Sequence, residues 1–329
     1  MLVRFARTVS LKDVGKITER CDALGVQYKY IQELSKSYLV VESAEHAKLE
    51  ELYHQFRHMD FVATVSLPAD PDDPLAKLEP VKIKCGNRWI GRDSRPVLIA
   101  GSPYLESQKS AVALASDLAT IGANIYKAGP YRPTETLPPK TLYERTSAIV
   151  ADISRKGGIP STGTIEALGP KTALALLRCC AMHVPSRFMF ESGLRDQLAK
   201  LGVPVLLERH PEASTELWLE AAGSIVGGGN SDVALVETGK RVGGALQIDM
   251  VSTARLVDTC PLPLLVYPSR VATSAGEVRR IARSALACGA SGVILDVHPS
   301  PLEGLLSDGF CLSLKQFEEV YGSLKPLLS

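Results

Sequence analysis

Charged and polar side chains recur just after short apolar runs from residue 106 onward. They are Glu106, Lys127, Arg132, Arg187, Glu208, Arg209, Glu237, Arg270, Asp296, His298 and Asp308. The lysine and arginines are the residue types that clamp a phosphate or carboxylate, arginine through a planar fork of donors. The carboxylates and His298 are the types that move protons in general acid–base chemistry. His298 follows Asp296 at a spacing of two in DVHP, and reads more simply as a hydrogen-bonding rim group than as a proton carrier. Several of these residues are expected to pair with one another. No GxSxG motif is present, so a Ser-His-Asp hydrolase of that type has no support.

Eight apolar runs position these residues: VLIAG, ANIYKAG, IPSTGTI, HVPSRFMF, PVLLER, DVALVET, PLLVYPS and GVILDVH, each followed by a helical stretch. Short buried strands alternating with helices predict a parallel sheet, and eight of them between residues 96 and 329 predict a (β/α)8 barrel. In that fold the inner side chains form a packed core, and ligand chemistry lies at the carboxyl ends of the strands. Residues 1–67 read differently, as βαββαβ: MLVRFARTV, a helix capped by Ser10 and stopped at Gly25, VQYKYIQEL, SYLVVES, the amphipathic EHAKLEELYHQF, and FVATVSLPA. That order is a split βαβ, ferredoxin-like domain. Residues 68–95 form a Pro- and Asp-rich linker followed by a short hairpin with Gly86-Asn87 in its turn.

Composition sets the limits on function. Of 329 residues, 45% are hydrophobic and 22% charged, an ordinary globular mixture rather than a disordered or fibrous one. Lys and Arg number 37 against 36 Asp and Glu, so no global field draws the chain to nucleic acid or an anionic membrane. Nothing resembles a signal peptide or a membrane span, and the seven scattered cysteines show no CxxC pair. A reduced, cytoplasmic protein without disulfides or structural zinc is the expectation. Cys179-Cys180 in ALALLRCCAM reads as helix packing rather than a redox pair, and His46, His54 and His58 as a solvated helix surface rather than a metal site. The run Gly227-Gly228-Gly229-Asn230 reads as a helix terminus and not a phosphate loop, and VRRIAR as a solvated face.

Several motifs, in order, resemble the type I 3-deoxy-arabino-heptulosonate 7-phosphate (DAHP) synthase family, which shares its barrel with 3-deoxy-manno-octulosonate 8-phosphate synthase. They are IAG at residues 99–101, Glu106, YRP at 131–133, Ser186-Arg187, PVLLER at 204–209, GGN at 228–230, YPS at 267–269, and DVHPSP with the following LSDG at 296–309. One branch of that family carries an amino-terminal ferredoxin-like domain, so the resemblance covers nearly the whole chain. It implies shikimate-pathway chemistry toward aromatic amino acids, a transferase that condenses phosphoenolpyruvate with an aldose phosphate, and a dimer or tetramer.

The resemblance also marks departures. The family's metal is held by Cys, His, Glu and Asp, at positions that here read Pro103, Arg270, Asp296 and Asp308. Proline has no ligand atom and arginine is a permanent cation, so no transition-metal site of the family kind is expected. Two carboxylates, Asp296 and Asp308, leave at most a weak divalent-cation site. Arg270 is expected to take the place of the metal and neutralise both acids. The family's KPRTS loop reads Arg132-Pro133-Thr134-Glu135-Thr136. The lysine of LLKRG is Glu208, the arginine of ERG is Thr238, and the aspartate of DPSH is Tyr267. Arg187 and Arg209 persist at positions resembling the phosphoenolpyruvate clamp, with Lys127 and Arg132 as further basic groups, and Glu106, Glu237 and Tyr267 complete the candidate ligand site.

The reading that follows is a family member with a degenerate metal site, inactive or repurposed, binding a small phosphorylated or carboxylate ligand such as phosphoenolpyruvate without a cofactor. The alternative is a metal-independent condensing enzyme in which Arg270 supplies positive charge and Glu208 or His298 moves protons. A scaffold role, with the amino-terminal domain binding an aromatic effector, is the third. No nucleic-acid or membrane partner is expected.

Overall fold

The computed structural model describes residues 1–5, 9–33, 36–56, 58–66, 73–132, 137, 139–165, 178–301 and 309–328. The chain divides into two compact units, Met1–Ala76 and Lys77–Ser329.

In the first unit the elements run β1 (Leu2–Phe5), α1 (Leu11–Ala23), β2 (Gln27–Glu33), β3 (Lys36–Ser43), α2 (His46–Phe56) and β4 (Val62–Ser66). The strands pair antiparallel in the order β2-β3-β1-β4, so β3 lies between two strands joined by a helix, the ferredoxin-like arrangement. Ser10 caps α1 by accepting from the Asp13 N–H, and Gly25 follows the helix at φ +64°, a conformation that costs glycine nothing. Val3, Ile17, Cys21, Leu39, Leu52 and Phe56 form its core. His54 and His58 are exposed, as a solvated helix surface requires.

The second unit opens with a hairpin, β5 (Ile83–Cys85) and β6 (Arg88–Ile90), turning through Gly86 at φ +62°. Eight parallel strands follow: β7 (Val97–Gly101), β8 (Ile125–Tyr126), β9 (Thr162–Thr164), β10 (Ala181–Val184), β11 (Val205–Glu208), β12 (Val233–Glu237), β15 (Leu264–Val266) and β16 (Gly292–Asp296). They pair in chain order, β16 returns to β7, and a bridge between Tyr126 and Ser161 joins β8 to the residue before β9. The sheet therefore closes into a barrel. The outer layer includes α3 (Gln108–Ile121), α4 (Pro139–Lys156), α5 (Ser192–Leu201), α6 (Thr215–Gly227), α7 (Met250–Thr259), α8 (Ala275–Ala287) and α9 (Leu314–Leu324).

Side-chain alternation along each strand separates the axis from the helix layer. Ile99, Ile125, Ala181, Leu206, Val236, Leu265 and Ile294 pack with Ile83, Cys85 and Ile90 of the hairpin in one buried cluster. The hairpin thus stoppers the barrel at the amino ends of its strands with apolar side chains, away from the ends where chemistry occurs.

Three local expectations change. HVPSRFMF is not one strand: β10 is Ala181–Val184, and Pro185 hands the chain to a 3-10 turn at Ser186–Phe188. Cys179 and Cys180 lie in the bend before β10 rather than in a helix, and Cys180 packs against the barrel core. The helix expected over ALALLR falls mostly outside the described residues. A second hairpin that the sequence reading did not anticipate, β13 (Lys240–Val242) and β14 (Ala245–Gln247), turns through Gly243-Gly244 just after β12. The glycine run at 227–230 does end α6. Asn230 is buried there, donating to the Leu198 and Val203 carbonyls.

Candidate active site at the carboxyl end of the barrel

Two residues beyond the apolar interior positions, the strands turn polar. Ile125 is followed at this spacing by Lys127, Ala181 by His183, Leu206 by Glu208, Leu265 by Tyr267 and Ile294 by Asp296. Period-two alternation aims all five at the barrel axis, and all five are buried. Charged residues are almost never fully buried unless paired, and these are paired.

Asp296 is the hub of one half. Its Oδ1 accepts from Lys127 Nζ at 2.6 Å and from the Tyr267 hydroxyl at 2.7 Å, and its backbone N–H donates to Ser269 Oγ. The Lys127 ammonium also lies 5.2 Å from the Tyr267 ring centre. Burial pushes the Tyr267 hydroxyl well above its ordinary value, and the Asp296 charge adds to the shift, so Tyr267 is a neutral donor at every physiological pH. The cation seated on Asp296 is thus Lys127. Arg270, expected there from the sequence, lies in the 3-10 turn Pro268–Arg270 with its guanidinium 5.9 Å from the Tyr267 ring centre, and its charge acts on Tyr267 and Glu208.

Glu208 is the hub of the other half. His183 Nε2 approaches Glu208 Oε1 to 2.8 Å, and the Ser186 N–H donates to Oε2. Burial opposes ionisation of Glu208. His183, Arg270 and the Ser186 N–H outweigh it and hold the carboxyl down at about 2. The His183 contact is short but out of line, and neither ring nitrogen has an aligned hydrogen-bond partner among the described residues. His183 was absent from the sequence-based candidates. Its signal was the interval from Ala181, hidden while HVPSRFMF was read as a continuous strand.

Arg209 and Glu237 have the opposite parity and face the helix layer. Arg209 Nη1 donates to Glu237 Oε2 at 2.9 Å, Nε and Nη2 donate to the Ala213 carbonyl, and the guanidinium lies 5.7 Å from the ring centre of buried Trp218. Glu237 also accepts from the Gly239 N–H. The side chains of both are only 1% exposed, so this arginine is held within the fold rather than presented at the mouth.

The remaining candidates lie on the rim. His298 stacks on Tyr104, approaches Glu106 at 3.5 Å and uses Nδ1 at Ser300. Arg132 lies 6.0 Å from the Tyr104 ring centre. Arg187 is exposed and stacks 4.6 Å from the Phe188 ring centre. Pro103 follows β7, while Asp308 and residues 133–136 fall outside the described residues. Among the described residues no group of three His, Cys, Asp or Glu side chains has metal-holding geometry. No described helix is long and apolar enough to cross a membrane.

Residues 75–327 match the DAHP synthetase I family. A phospho-2-dehydro-3-deoxyheptonate aldolase of Thermotoga maritima is 30% identical over 274 residues, 80% of this chain and 76% of that protein. A 2-dehydro-3-deoxyphosphooctonate aldolase of Nitrobacter hamburgensis is 26% identical over 265 residues, 72% of this chain and 89% of that protein. The crystal structure of a Thermotoga maritima phospho-2-dehydro-3-deoxyheptonate aldolase (DAHP synthase) superposes with a TM-score of 0.73 at 21% identity. That match covers 99% of this chain and 96% of the other, and shows likeness of fold. A truncated form of the Thermotoga maritima 3-deoxy-D-arabino-heptulosonate 7-phosphate synthase gives 0.66 at 27% identity, over 76% and 92%.

Proposed function

The chain belongs to the DAHP synthetase I family, and we propose that within it this protein has left the metal-dependent condensation and holds a small carboxylate or phosphorylated ligand in the polar ring at the barrel mouth. The observation that carries the reading is the Lys127 ammonium on Asp296 at 2.6 Å.

The residues present do not fit the family's metal. Pro103 offers no donor, Arg270 repels a cation, and the one described carboxylate of the four positions already takes an ammonium and a phenol on a single oxygen. A divalent cation at Asp296 would sit against the Lys127 ammonium already held by that carboxylate and would gain no nitrogen or sulfur ligand from Pro103 or Arg270. Asp308 alone does not repair the set.

An anionic ligand fits better. Lys127, His183 and Arg270 bring positive or donor character to the axis, and Arg187 and Arg132 are exposed on the rim. An arginine fork recognises phosphate and carboxylate alike, so phosphoenolpyruvate, which carries both, is the probe of choice. We assign the protein to the cytoplasm and to a homo-oligomer on the same basis of family membership.

The test is metal analysis of protein purified without chelator, together with calorimetric titration of phosphoenolpyruvate before and after chelator treatment. Sub-stoichiometric metal and chelator-insensitive binding are expected. Stoichiometric transition metal, with binding or turnover abolished by chelator, would overturn the reading.

A further inference from the structure

Lys127 is the residue that the reading above leaves without a chemical role beyond charge. It directly follows the second barrel strand, its side chain is 7% exposed, and its Nζ touches a buried carboxylate oxygen that also binds a phenol. A buried lysine held beside a carboxylate that can take its proton is a setting in which the amine can serve as a carbonyl nucleophile. A second cation, Arg270, shares the Tyr267 ring with it: Nζ lies 5.2 Å and the guanidinium 5.9 Å from the ring centre. Asp296 is placed to take the amine's proton, and Tyr267 to donate to whatever oxygen Asp296 relinquishes.

A second, independent observation points into the same space. His183 is 1% exposed and on the axial face of its strand; its Nε2 lies 2.8 Å from Glu208, while its buried Nδ1 has no hydrogen-bond partner among the described residues. Buried polar atoms left in this state are rare, and they mark places where a ligand or water completes the bonding. The guanidinium of Arg270 carries five donors, the fork geometry that matches a carboxylate.

We propose that Lys127 forms an imine with the keto carbon of a small 2-oxo acid, with Asp296 and Tyr267 as its proton-handling partners and Arg270 facing the acid's carboxylate. The step balances without an oxidant or reductant. The Lys127 nitrogen bonds to C2, the C2–O bond breaks, and the oxygen leaves as water with two protons from the ammonium, one passing through Asp296. An iminium with one N–H remains, and its positive charge stays beside Asp296, where the ammonium's was. The inference rests on the anion-binding reading and names the class of anion and how it is held.

The probe is pyruvate with sodium borohydride, which fixes an imine as a secondary amine, followed by intact mass and peptide mapping of the full chain. One reduced pyruvyl adduct per chain, mapped to Lys127, is expected. Lys127→Arg keeps a cation on Asp296 and cannot form the imine, so it should fold, shown by an unchanged circular dichroism spectrum, and take no adduct. Asp296→Asn should slow trapping about 100-fold, the lower range for loss of a proton-transfer group. No adduct, or adducts scattered over surface lysines equally in wild type and Lys127→Arg, would overturn the proposal. Calorimetry on the same samples separates the two readings. Chelator-insensitive pyruvate or phosphoenolpyruvate binding without an adduct sinks the imine and keeps anion binding, whereas stoichiometric metal with chelator-sensitive binding sinks anion binding without metal.

Discussion

Glu208 and Glu237 end neighbouring strands of one barrel, are both buried, and each sits beside a basic side chain, yet their carboxyls are pushed in opposite directions. Glu208 faces the axis and is held at about 2, because His183, Arg270 and the Ser186 N–H together outweigh its burial. Glu237 faces the helix layer, and its burial outweighs Arg209 and the Gly239 N–H, raising it above its ordinary value. Two carboxylates whose surroundings drive them apart are a common mark of divided roles. The axial one belongs to a set of groups that converge, while the outer one closes a cross-link between β11, β12 and the loop before α6. A strand-end charge is therefore informative only together with its parity.

The largest effect expected from this contrast is on folding. Arg209→Ala removes the partner of Glu237 and three hydrogen bonds, leaving a buried carboxylate uncompensated, and should cost about 3–5 kcal/mol in denaturant unfolding. Replacing both, Arg209→Met with Glu237→Leu, should recover much of that loss, since an apolar pair of similar volume often matches a buried ion pair. A modest stability change in Arg209→Ala with a large loss of phosphoenolpyruvate affinity would make Arg209 a ligand clamp rather than a structural cross-link.

Next in size is Tyr267→Phe. It removes one donor to an ionised, buried Asp296 and leaves Lys127 in place, so about 1.5–3 kcal/mol is expected in the same assay. The loss should shrink when Asp296→Asn is already present, and additivity of the two substitutions would deny that they share a bond.

The barrel was legible in the sequence because its strands are continuous apolar runs separated by helical periods, a signal that survives errors of a residue or two at each boundary. The site was legible only as a set of strand ends. Placing Arg209 with Arg187 in a ligand clamp, next to Glu208 as a site residue, ignores the alternation that points Glu208 at the axis and Arg209 at Trp218. His183 escaped because the strand was drawn through Pro185 into SRFMF, which obscured its interval from Ala181. The pairing of Lys127, just after β8, with Asp296, at the end of β16, joins residues far apart in sequence whose strands are separated in the barrel by β7, and no local pattern announces it.

Acid titration sharpens the axial half. With a folded value of about 2 against an ordinary 4.5, Glu208 binds its proton more weakly in the folded chain than in the unfolded one. The stability it contributes is complete above pH about 4.5 and is lost as pH falls through about 2. Glu237 has the reverse sign: its carboxyl, raised on folding, costs stability as pH climbs past its ordinary value. Glu208→Gln, which keeps an acceptor for the Ser186 N–H, should flatten the stability profile between pH 4.5 and 2 relative to wild type. An unchanged acid limb would mean that His183 and Arg270 do not hold the charged form.

The smallest effect on stability should come from Arg187, the other arginine that the sequence placed beside Arg209. Its guanidinium is exposed and stacked on Phe188, an arrangement worth about 0.5–1 kcal/mol, so Arg187→Ala should unfold at nearly the wild-type denaturant midpoint. Its effect on ligand affinity should be the larger one, because an exposed fork at the barrel mouth can reach a phosphate while a buried one committed to Glu237 and Ala213 cannot. Calorimetric titration of Arg187→Ala with phosphoenolpyruvate should show about tenfold or greater weakening, the loss of one charge-assisted contact of roughly 1.5–3 kcal/mol. Affinity equal to wild type would place the ligand deeper in the ring, on Lys127 and Arg270, and leave Arg187 as a surface residue.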